Sequence, residues 1–100
     1  MKIFAIEKDL RGTTAKRCAP FLVAEAARVW RLHQSGVIRE LYFRNDRDEA
    51  VLVLECRSTA HARQTLKSLP LVKKKLITFE LIPLRAYPGF ERLFARAVKL

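Results

Sequence analysis

Four stretches of the chain are rich in apolar and β-branched residues at strand-like spacing, and each stretch predicts a β-strand. The predicted strands are Met1–Lys8, Val37–Arg44, Ala50–Cys56 and Leu76–Leu84. The cluster Asn45–Asp48 is typical of a turn, so the second and third strands should form a hairpin. Strict alternation in the second strand would place Ile38 on the same face as Glu40 and Tyr42.

A helix is predicted over Phe21–Ser35, where apolar residues recur at helical spacing. The residues that we expect to face the core are Leu22, Ala26, Val29 and Trp30. Pro20 suits the first turn of a helix, and Gly36 suits the position just after its end. The preceding segment, Asp9–Ala19, is polar and is predicted to be a loop.

A second helix is predicted over Thr59–Ser68, with Ser58 as its N-cap. Its core-facing residues are predicted to be Ala62, Thr65, Leu66 and Leu69. A short terminal helix is predicted over Phe90–Val98. The order β-α-β-β-α-β is that of the ferredoxin-like fold, a four-stranded antiparallel sheet with both main helices on one face. We therefore predict a single α+β domain over residues 1–100.

Both faces of the predicted sheet are apolar, although two helices can cover only one of them. Val51–Leu54 is apolar on both sides of its strand. The last strand carries Ile77, Phe79 and Leu81 on one face and Ile82 and Leu84 on the other. We expect a second copy to cover the open face, which predicts a homodimer or a higher homo-oligomer. The polar residues that we place on or near this face are Glu7, Glu40, Tyr42, Thr78 and Glu80.

Composition limits the class of protein. Half of the 100 residues are hydrophobic, which favours a folded core over disorder. No run approaches the roughly 20 apolar residues of a membrane span, and no signal peptide is recognisable. We therefore expect a cytoplasmic protein without membrane contact. Cys18 and Cys56 stand far apart, and we expect both to be reduced thiols.

Twenty Lys and Arg against ten Asp and Glu leave a net charge of +10, which attracts polyanions and small anions alike. Lys73–Lys75 concentrates three of these charges before the last strand. The run has three interpretations: nucleic-acid contact, attraction of an anion, or solvated protection of an apolar strand against aggregation. We favour the last, because the strand aromatics do not form the stacking platform of an RNA-binding sheet.

Motifs for other chemistries are weak. Gly12–Lys16 lacks the second glycine of a phosphate-binding loop. His33 and His61 have no partners at metal-ligand spacing, so we predict no metal. His33 falls near the apolar stripe of the first helix and is predicted to be packed.

Glu25 is an acidic residue among small apolar neighbours in the first predicted helix. One interpretation is a surface pair with Arg28, worth a few tenths of a kcal/mol. The other is a functional carboxylate. The residues alone favour the surface pair.

Several short motifs, spread over Leu22–Pro88, occur together in a known pattern. They are Ser35-Gly36, Glu40-Leu41-Tyr42, Leu69-Pro70-Leu71, Phe79-Glu80-Leu81, and Leu84 followed by Tyr87-Pro88. With these motifs the chain resembles the muconolactone Δ-isomerase family. It departs from that family in the hairpin, where Arg44–Asp48 replaces a glycine-histidine segment, and at Tyr87, which replaces a histidine.

The resemblance implies a dimeric α/β barrel and the cofactor-free isomerisation of a small carboxylated lactone. With it we predict that Glu25 and Tyr42 are catalytic and that Arg44, Glu80 and Tyr87 bind the substrate. In this chemistry a carboxylate removes a proton beside the ring carbonyl and returns it elsewhere, which is helped when burial raises its pKa toward neutrality. The alternatives are a non-catalytic ligand-binding protein of the same fold and a basic nucleic-acid-binding domain.

Overall fold

A computed structural model describes residues 1–94 of the chain. The strands are Lys2–Asp9 (β1), Ile38–Phe43 (β2), Ala50–Glu55 (β3) and Ile77–Pro83 (β4). The helices of this part of the chain are Ala15–Cys18 (α1), Leu22–Gln34 (α2), Thr59–Leu66 (α3) and Pro70–Lys73 (α4). Short 3₁₀ helices cover Ala19–Phe21 and Gly89–Leu93. The predicted α+β class is confirmed.

The four strands form one antiparallel sheet in the order β2-β3-β1-β4. β1 therefore lies between β3 and β4, and β2 and β3 form the predicted hairpin. This is the strand arrangement of the ferredoxin-like fold, so the predicted topology is confirmed. No helix within residues 1–94 is both long and apolar enough to cross a membrane.

The helix-covered face of β1 carries Ile3, Ala5 and Glu7, and all three are buried. Ile3 pairs with Leu54 across the sheet, and Glu7 pairs with Phe79 on the other side. The expectation that Glu7 lies on the open face is therefore wrong. The two-residue period of the strand places this carboxyl in the row that starts with Ile3, and this period overrides the preference of a polar side chain for the surface.

A β-bulge in β2 changes which of its residues face the core. The pairing with β3 shifts its register between Ile38 and Glu40, so Arg39 is the extra residue. As a result Ile38, which is 1% exposed, pairs with Leu54 in the core. The prediction that Ile38 shares a face with Glu40 is wrong, because strict alternation does not hold across a bulge.

The inward face of α2 also differs from the prediction. Leu22 and Trp30 are more than half exposed, whereas Leu32 is buried and Val29 is partly buried against the core. The inward face includes two polar residues, Glu25 and Arg28, which are only partly exposed. Each has a specific partner: Arg28 Nε donates to Ser68 Oγ at 2.8 Å, and Glu25 Oε1 accepts from Leu71 N at 2.9 Å. Polar contacts with the segment Ser68–Leu71 therefore set the rotation of this helix.

The second main helix follows the prediction closely. Ser58 Oγ accepts from His61 N at 3.0 Å, which confirms the N-cap. Ala62, Leu66 and Leu69 are buried, as predicted. The helix ends at Leu66, and α4 then begins at Pro70, a separate helix that the sequence pattern did not predict.

The lysine run forms the end of α4. Lys73, Lys74 and Lys75 are all exposed. Lys75 has a φ of 58°, the left-handed conformation in which a helix often ends. Its N–H donates to Val72 O at 3.0 Å, and the N–H of Leu76 donates to Leu71 O at 3.0 Å. The run therefore terminates a helix and leads the chain into β4.

The segment after β4 is largely exposed. Tyr87 and Phe90 pack edge to face with ring centroids 5.1 Å apart. A Cβ at Gly89 would collide with the end of the Tyr87 ring, so any other residue there would displace this exposed ring. The predicted short helix Phe90–Val98 is present in its first residues as a 3₁₀ helix, Gly89–Leu93, and Ala95–Val98 lies outside the described residues. His33 is exposed rather than packed, and its Nδ1 lies 3.0 Å from Ile38 O.

Candidate functional site

A cavity of about 740 Å³ opens between the helix-covered face of the sheet, the N-terminal end of α2 and the β2–β3 hairpin loop. Its apolar walls are Leu22, Phe43, Leu71 and Ile77. Its polar lining includes four acidic residues, Glu7, Asp9, Asp48 and Glu49. A mostly apolar cavity of this size with a few convergent polar groups is typical of a small-molecule site.

Glu7 is the buried carboxyl of this cavity. It is 8% exposed, and its Oε1 accepts a hydrogen bond from Ala50 N at 3.0 Å. Burial raises the pKa of Glu7 from its usual 4.5 to about 7, and the neighbouring carboxyls of Asp9 and Glu49 also raise it, while the Ala50 hydrogen bond opposes the change. Glu7 is therefore close to half ionised at neutral pH.

Glu49 links the hairpin loop to β1. Its Oε2 accepts from Asp9 N at 3.2 Å, and its Oε1 lies 2.6 Å from Arg47 Nε and 3.9 Å from Arg44 Nη1. Glu49 is 8% exposed, so two arginines compensate a buried carboxylate. The guanidinium of Arg44 also donates two hydrogen bonds to Asp46, at 2.9 and 2.7 Å. These contacts hold the loop against the mouth of the cavity.

The other wall of the cavity is the segment that leads into α2. Thr13 Oγ1 donates to Leu76 O at 2.6 Å, and Thr14 Oγ1 caps α1 by accepting from Arg17 N at 3.2 Å. Both threonines and Cys18 line the cavity. Burial raises the pKa of the Cys18 thiol, and the nearby negative charges of Asp9, Glu7 and Glu25 raise it further. Both cysteines are free thiols, as predicted.

Glu25 lies outside the cavity lining but contacts one of the wall residues, Leu71. Its carboxylate accepts the N–H of Leu71, one of the apolar wall residues, and burial raises its pKa while this hydrogen bond opposes the rise. Arg28 donates to Ser68 instead of pairing with Glu25. The surface pair that the residues alone favoured is therefore not formed.

The other predicted site residues lie elsewhere. Tyr42 and Glu80 are on the open face of the sheet: Glu80 pairs with the β1 residue Ile6, and Tyr42 pairs with Val51, the residue on the other side of Ile6. Tyr42 is 59% exposed and donates to Glu40 Oε1 at 2.9 Å, while Glu80 lies 4.0 Å from Lys8 Nζ. Tyr87 belongs to the exposed segment after β4.

Within one chain the structure thus brings Glu25 and Arg44 to the neighbourhood of the cavity and leaves Tyr42, Glu80 and Tyr87 away from it. Among residues 1–94, no group of three His, Cys, Asp or Glu side chains is arranged to hold a metal ion.

The model of the family described as muconolactone delta-isomerase matches residues 3–89. This chain belongs to the muconolactone Δ-isomerase family. None of the curated proteins compared with it by sequence gives a match.

Two solved structures share the fold of this family member. One is a muconolactone isomerase, with a TM-score of 0.69 and 21% identity over 89% of this chain and 93% of the other. The other is a 5-chloro-2-hydroxyhydroquinone dehydrochlorinase from Burkholderia phenoliruptrix, solved with 2,5-dihydroxybenzoquinone. Its TM-score is 0.67 with 16% identity, over 89% of this chain and 98% of that one.

Sequence reasoning missed three residues of the cavity in this family member: Glu7, Arg47 and Glu49. The signal for Glu7 was available, because it continues the row of Ile3 and Ala5 along the strand. Arg47 and Glu49 stand in a polar turn, where no periodicity indicates which side chains turn inward.

Proposed function

We propose that this protein catalyses the movement of a double bond in a small carboxylated lactone, by proton transfer and without a cofactor. The observation that carries the proposal is a carboxyl group in a cavity of about 740 Å³, with a pKa raised to about 7 by burial and by neighbouring acids. A general base acts best when its pKa lies near the working pH. Membership of the muconolactone Δ-isomerase family supports the same reaction class.

The chemistry needs few groups. A base removes the proton of the ring carbon γ to the carbonyl, the negative charge spreads into a dienolate, and a proton is added to the ring carbon beside the carbonyl. Two carboxyl groups with raised pKa values stand at this end of the molecule, Glu25 and Glu7. The family resemblance favours Glu25, and its place behind the Leu71 wall is compatible with a contribution to the site.

A carboxylated substrate also needs a cation. Arg47 lines the cavity, its side chain is 58% exposed, and Glu49 engages its Nε. A guanidinium has five N–H donors, so the others remain to bind a substrate carboxylate as a bidentate pair. Arg44, the arginine predicted from the sequence, would act indirectly by holding Asp46 and Glu49. The net charge of +10 favours the approach of an anionic substrate.

We also propose that two or more copies associate through the open face of the sheet. This face carries Phe4, Ile6, Val51, Val53 and Ile82, and all except Val53 are at least partly exposed in the single chain. Apolar side chains in such a row gain stability when another sheet covers them. Tyr42 and Glu80 would then lie at the subunit interface, where they could contribute to a site formed with a second copy.

The experiment that tests the function is turnover of muconolactone in deuterated water. Proton NMR would follow both the shift of the ring double bond and the incorporation of deuterium at the ring carbons. We expect both at catalytic concentrations of protein. A ligand that binds without exchanging its ring protons would favour the non-catalytic binding protein, and a protein that neither binds nor exchanges the lactone would refute the proposal. The dihydroxybenzoquinone bound by the related dehydrochlorinase makes hydroxylated quinones the second compounds to test.

A further inference from the structure

We propose that the carboxyl group of Glu7 carries the proton in this reaction, and that Glu25 positions the wall of the cavity. The assignment rests on the proposed function. It gives the chemical role to a residue that the sequence motifs of the family did not indicate.

Glu7 is held in a fixed position by the sheet. It belongs to β1, an inner strand with a neighbour on each side, and it lines the cavity at 8% exposure. Its Oε1 is fixed by the N–H of Ala50, the first residue of β3. A carboxyl held by an inner strand and a backbone N–H keeps its position when the substrate enters, as proton transfer requires.

In the described part of the chain, nothing in the fold requires a charge at Glu7. Buried carboxylates that serve the fold are paired with cations, as Glu49 is with Arg47 and Arg44. Within residues 1–94, no Lys or Arg forms an ion pair with Glu7. Its charged neighbours are acids, Asp9 on its own strand and Glu49 from the hairpin loop. This environment disfavours the ionised form, so a fold that needed only stability would place an apolar side chain there.

Glu25 differs from Glu7 in what its carboxyl group contacts. The Glu25 carboxylate is engaged with the backbone N–H of Leu71, and the wall of the cavity at that point is formed by Leu71 rather than by Glu25. A hydrogen bond of this kind anchors the first turn of α4 against α2. Glu25 therefore determines where the apolar wall lies, and Glu7 offers its carboxyl to the space inside.

The proposed step balances without another reactant. The Glu7 carboxylate takes a proton from the ring carbon γ to the carbonyl, and the electron pair of that C–H bond becomes part of the dienolate. The protonated carboxyl, whose acidic proton exchanges with water, then gives a proton to the ring carbon beside the carbonyl, which moves the double bond and restores both the neutral lactone and the carboxylate. Because Ala50 N–H occupies Oε1, we assign the transfer to Oε2.

The pH dependence follows from the groups around Glu7. Asp9, Glu49 and the thiol of Cys18 face it, and the Ala50 N–H is its hydrogen-bond donor. Since the pKa of Glu7 is raised to about 7, the base form increases as pH rises through neutrality. The value of kcat/KM for the lactone should therefore rise with pH, with a midpoint near 7.

The test compares wild type, Glu7→Gln and the matched control Glu25→Gln in turnover of muconolactone between about pH 5 and pH 9. Glutamine at position 7 can still accept the Ala50 hydrogen bond but cannot take a proton. We expect Glu7→Gln to lower kcat by about 10²- to 10⁴-fold with KM nearly unchanged, and to remove the midpoint near pH 7. Glu25→Gln should lower kcat by less than about tenfold and retain that midpoint.

Each other outcome has a definite meaning. Wild-type kcat in Glu7→Gln would overturn the assignment and leave the proposed function intact. A large loss in Glu25→Gln alone would transfer the role to Glu25. A wild-type protein that turns over no lactone would refute the proposed function and this assignment together. If Glu7→Gln does not fold, Glu7→Asp replaces it: a shortened carboxyl should lower kcat, and an unchanged kcat and pH profile would overturn the assignment.

Discussion

Glu7 and Tyr42 lie on opposite faces of the same four-stranded sheet. Tyr42 pairs with Val51, which pairs with Ile6, and the residue after Ile6 necessarily points to the other side. A single chain therefore cannot bring both groups to one small molecule. If Tyr42 contributes to catalysis, it does so in a site at the interface between open faces, which is separate from the Glu7 cavity.

The open face makes a prediction about assembly. Val53 lies near its centre, paired with Phe4 and Glu40, and a lysine there would place a charge between two stacked sheets. We expect wild type to be a homo-oligomer by light scattering and Val53→Lys to be monomeric or poorly folded. Gln64→Lys, on the exposed side of α3, is the control and should assemble like wild type. A stable wild-type monomer at micromolar concentration would contradict the prediction.

The position of Arg47 in the cavity lining predicts that it binds the substrate carboxylate. Replacing it with glutamine removes a charge-assisted hydrogen bond to the substrate carboxylate, worth about 1.5–3 kcal/mol, so KM should rise by roughly 10- to 150-fold while kcat changes little. The measurement is steady-state kinetics of the lactone isomerisation. Arg63→Gln, on the exposed surface of α3, is the matched control and should leave KM unchanged. Equal KM values for wild type and Arg47→Gln would show that another cation binds the carboxylate.

Glu7 should make the folded protein less stable as pH rises. The pKa of Glu7 is raised from 4.5 to about 7 in the folded state. Below pH 4.5 Glu7 is protonated in both the folded and the unfolded state, so it does not lower the free energy of unfolding. Between these values the unfolded state ionises first, and the cost grows to at most about 3 kcal/mol above pH 7. Urea unfolding should therefore show Glu7→Gln gaining stability over wild type at pH 8 but not at pH 4. The exposed control, Glu91→Gln, should show no such gain.

Lys75 offers a prediction that is independent of function. Its left-handed backbone costs a lysine about 1–2 kcal/mol and costs a glycine almost nothing. Lys75→Gly should therefore raise the free energy of unfolding by about 1 kcal/mol in urea. Lys73→Gly, within α4, is the control and should lower it by about 0.5–1 kcal/mol. A loss of stability in Lys75→Gly would mean that its side chain contributes contacts that the backbone argument leaves out.

Much of the fold was predictable because the apolar spacing was unambiguous. The order of strands and helices, the Ser58 cap and the row Ala62, Leu66 and Leu69 all follow from short-range patterns. The rotation of α2 did not follow, because its inward face uses Glu25 and Arg28. Polar residues can be turned inward only when distant partners satisfy them, and the partner segment is separated from them by about forty residues of sequence.

The candidate site was less predictable than the fold. The family motifs pointed to Glu25 and to Tyr42, and these residues are separated by the sheet. The face of Ile38 was predicted wrongly because an extra residue in an edge strand leaves no clear trace in the hydrophobic pattern. Arg47 and Glu49 became neighbours of β1 through a loop that carries six polar or charged residues in succession, any of which could have turned inward.

The row Ile3, Ala5 and Glu7 has a consequence for laboratory evolution. A carboxyl at the end of an apolar row gives the protein a simple route to greater heat resistance, since methionine or leucine at position 7 would fit the pattern of its neighbours. A library selected only for survival at high temperature should accumulate such replacements early. The most thermostable variants would then be catalytically inactive. Selection of the same library for lactone turnover should retain glutamate at position 7.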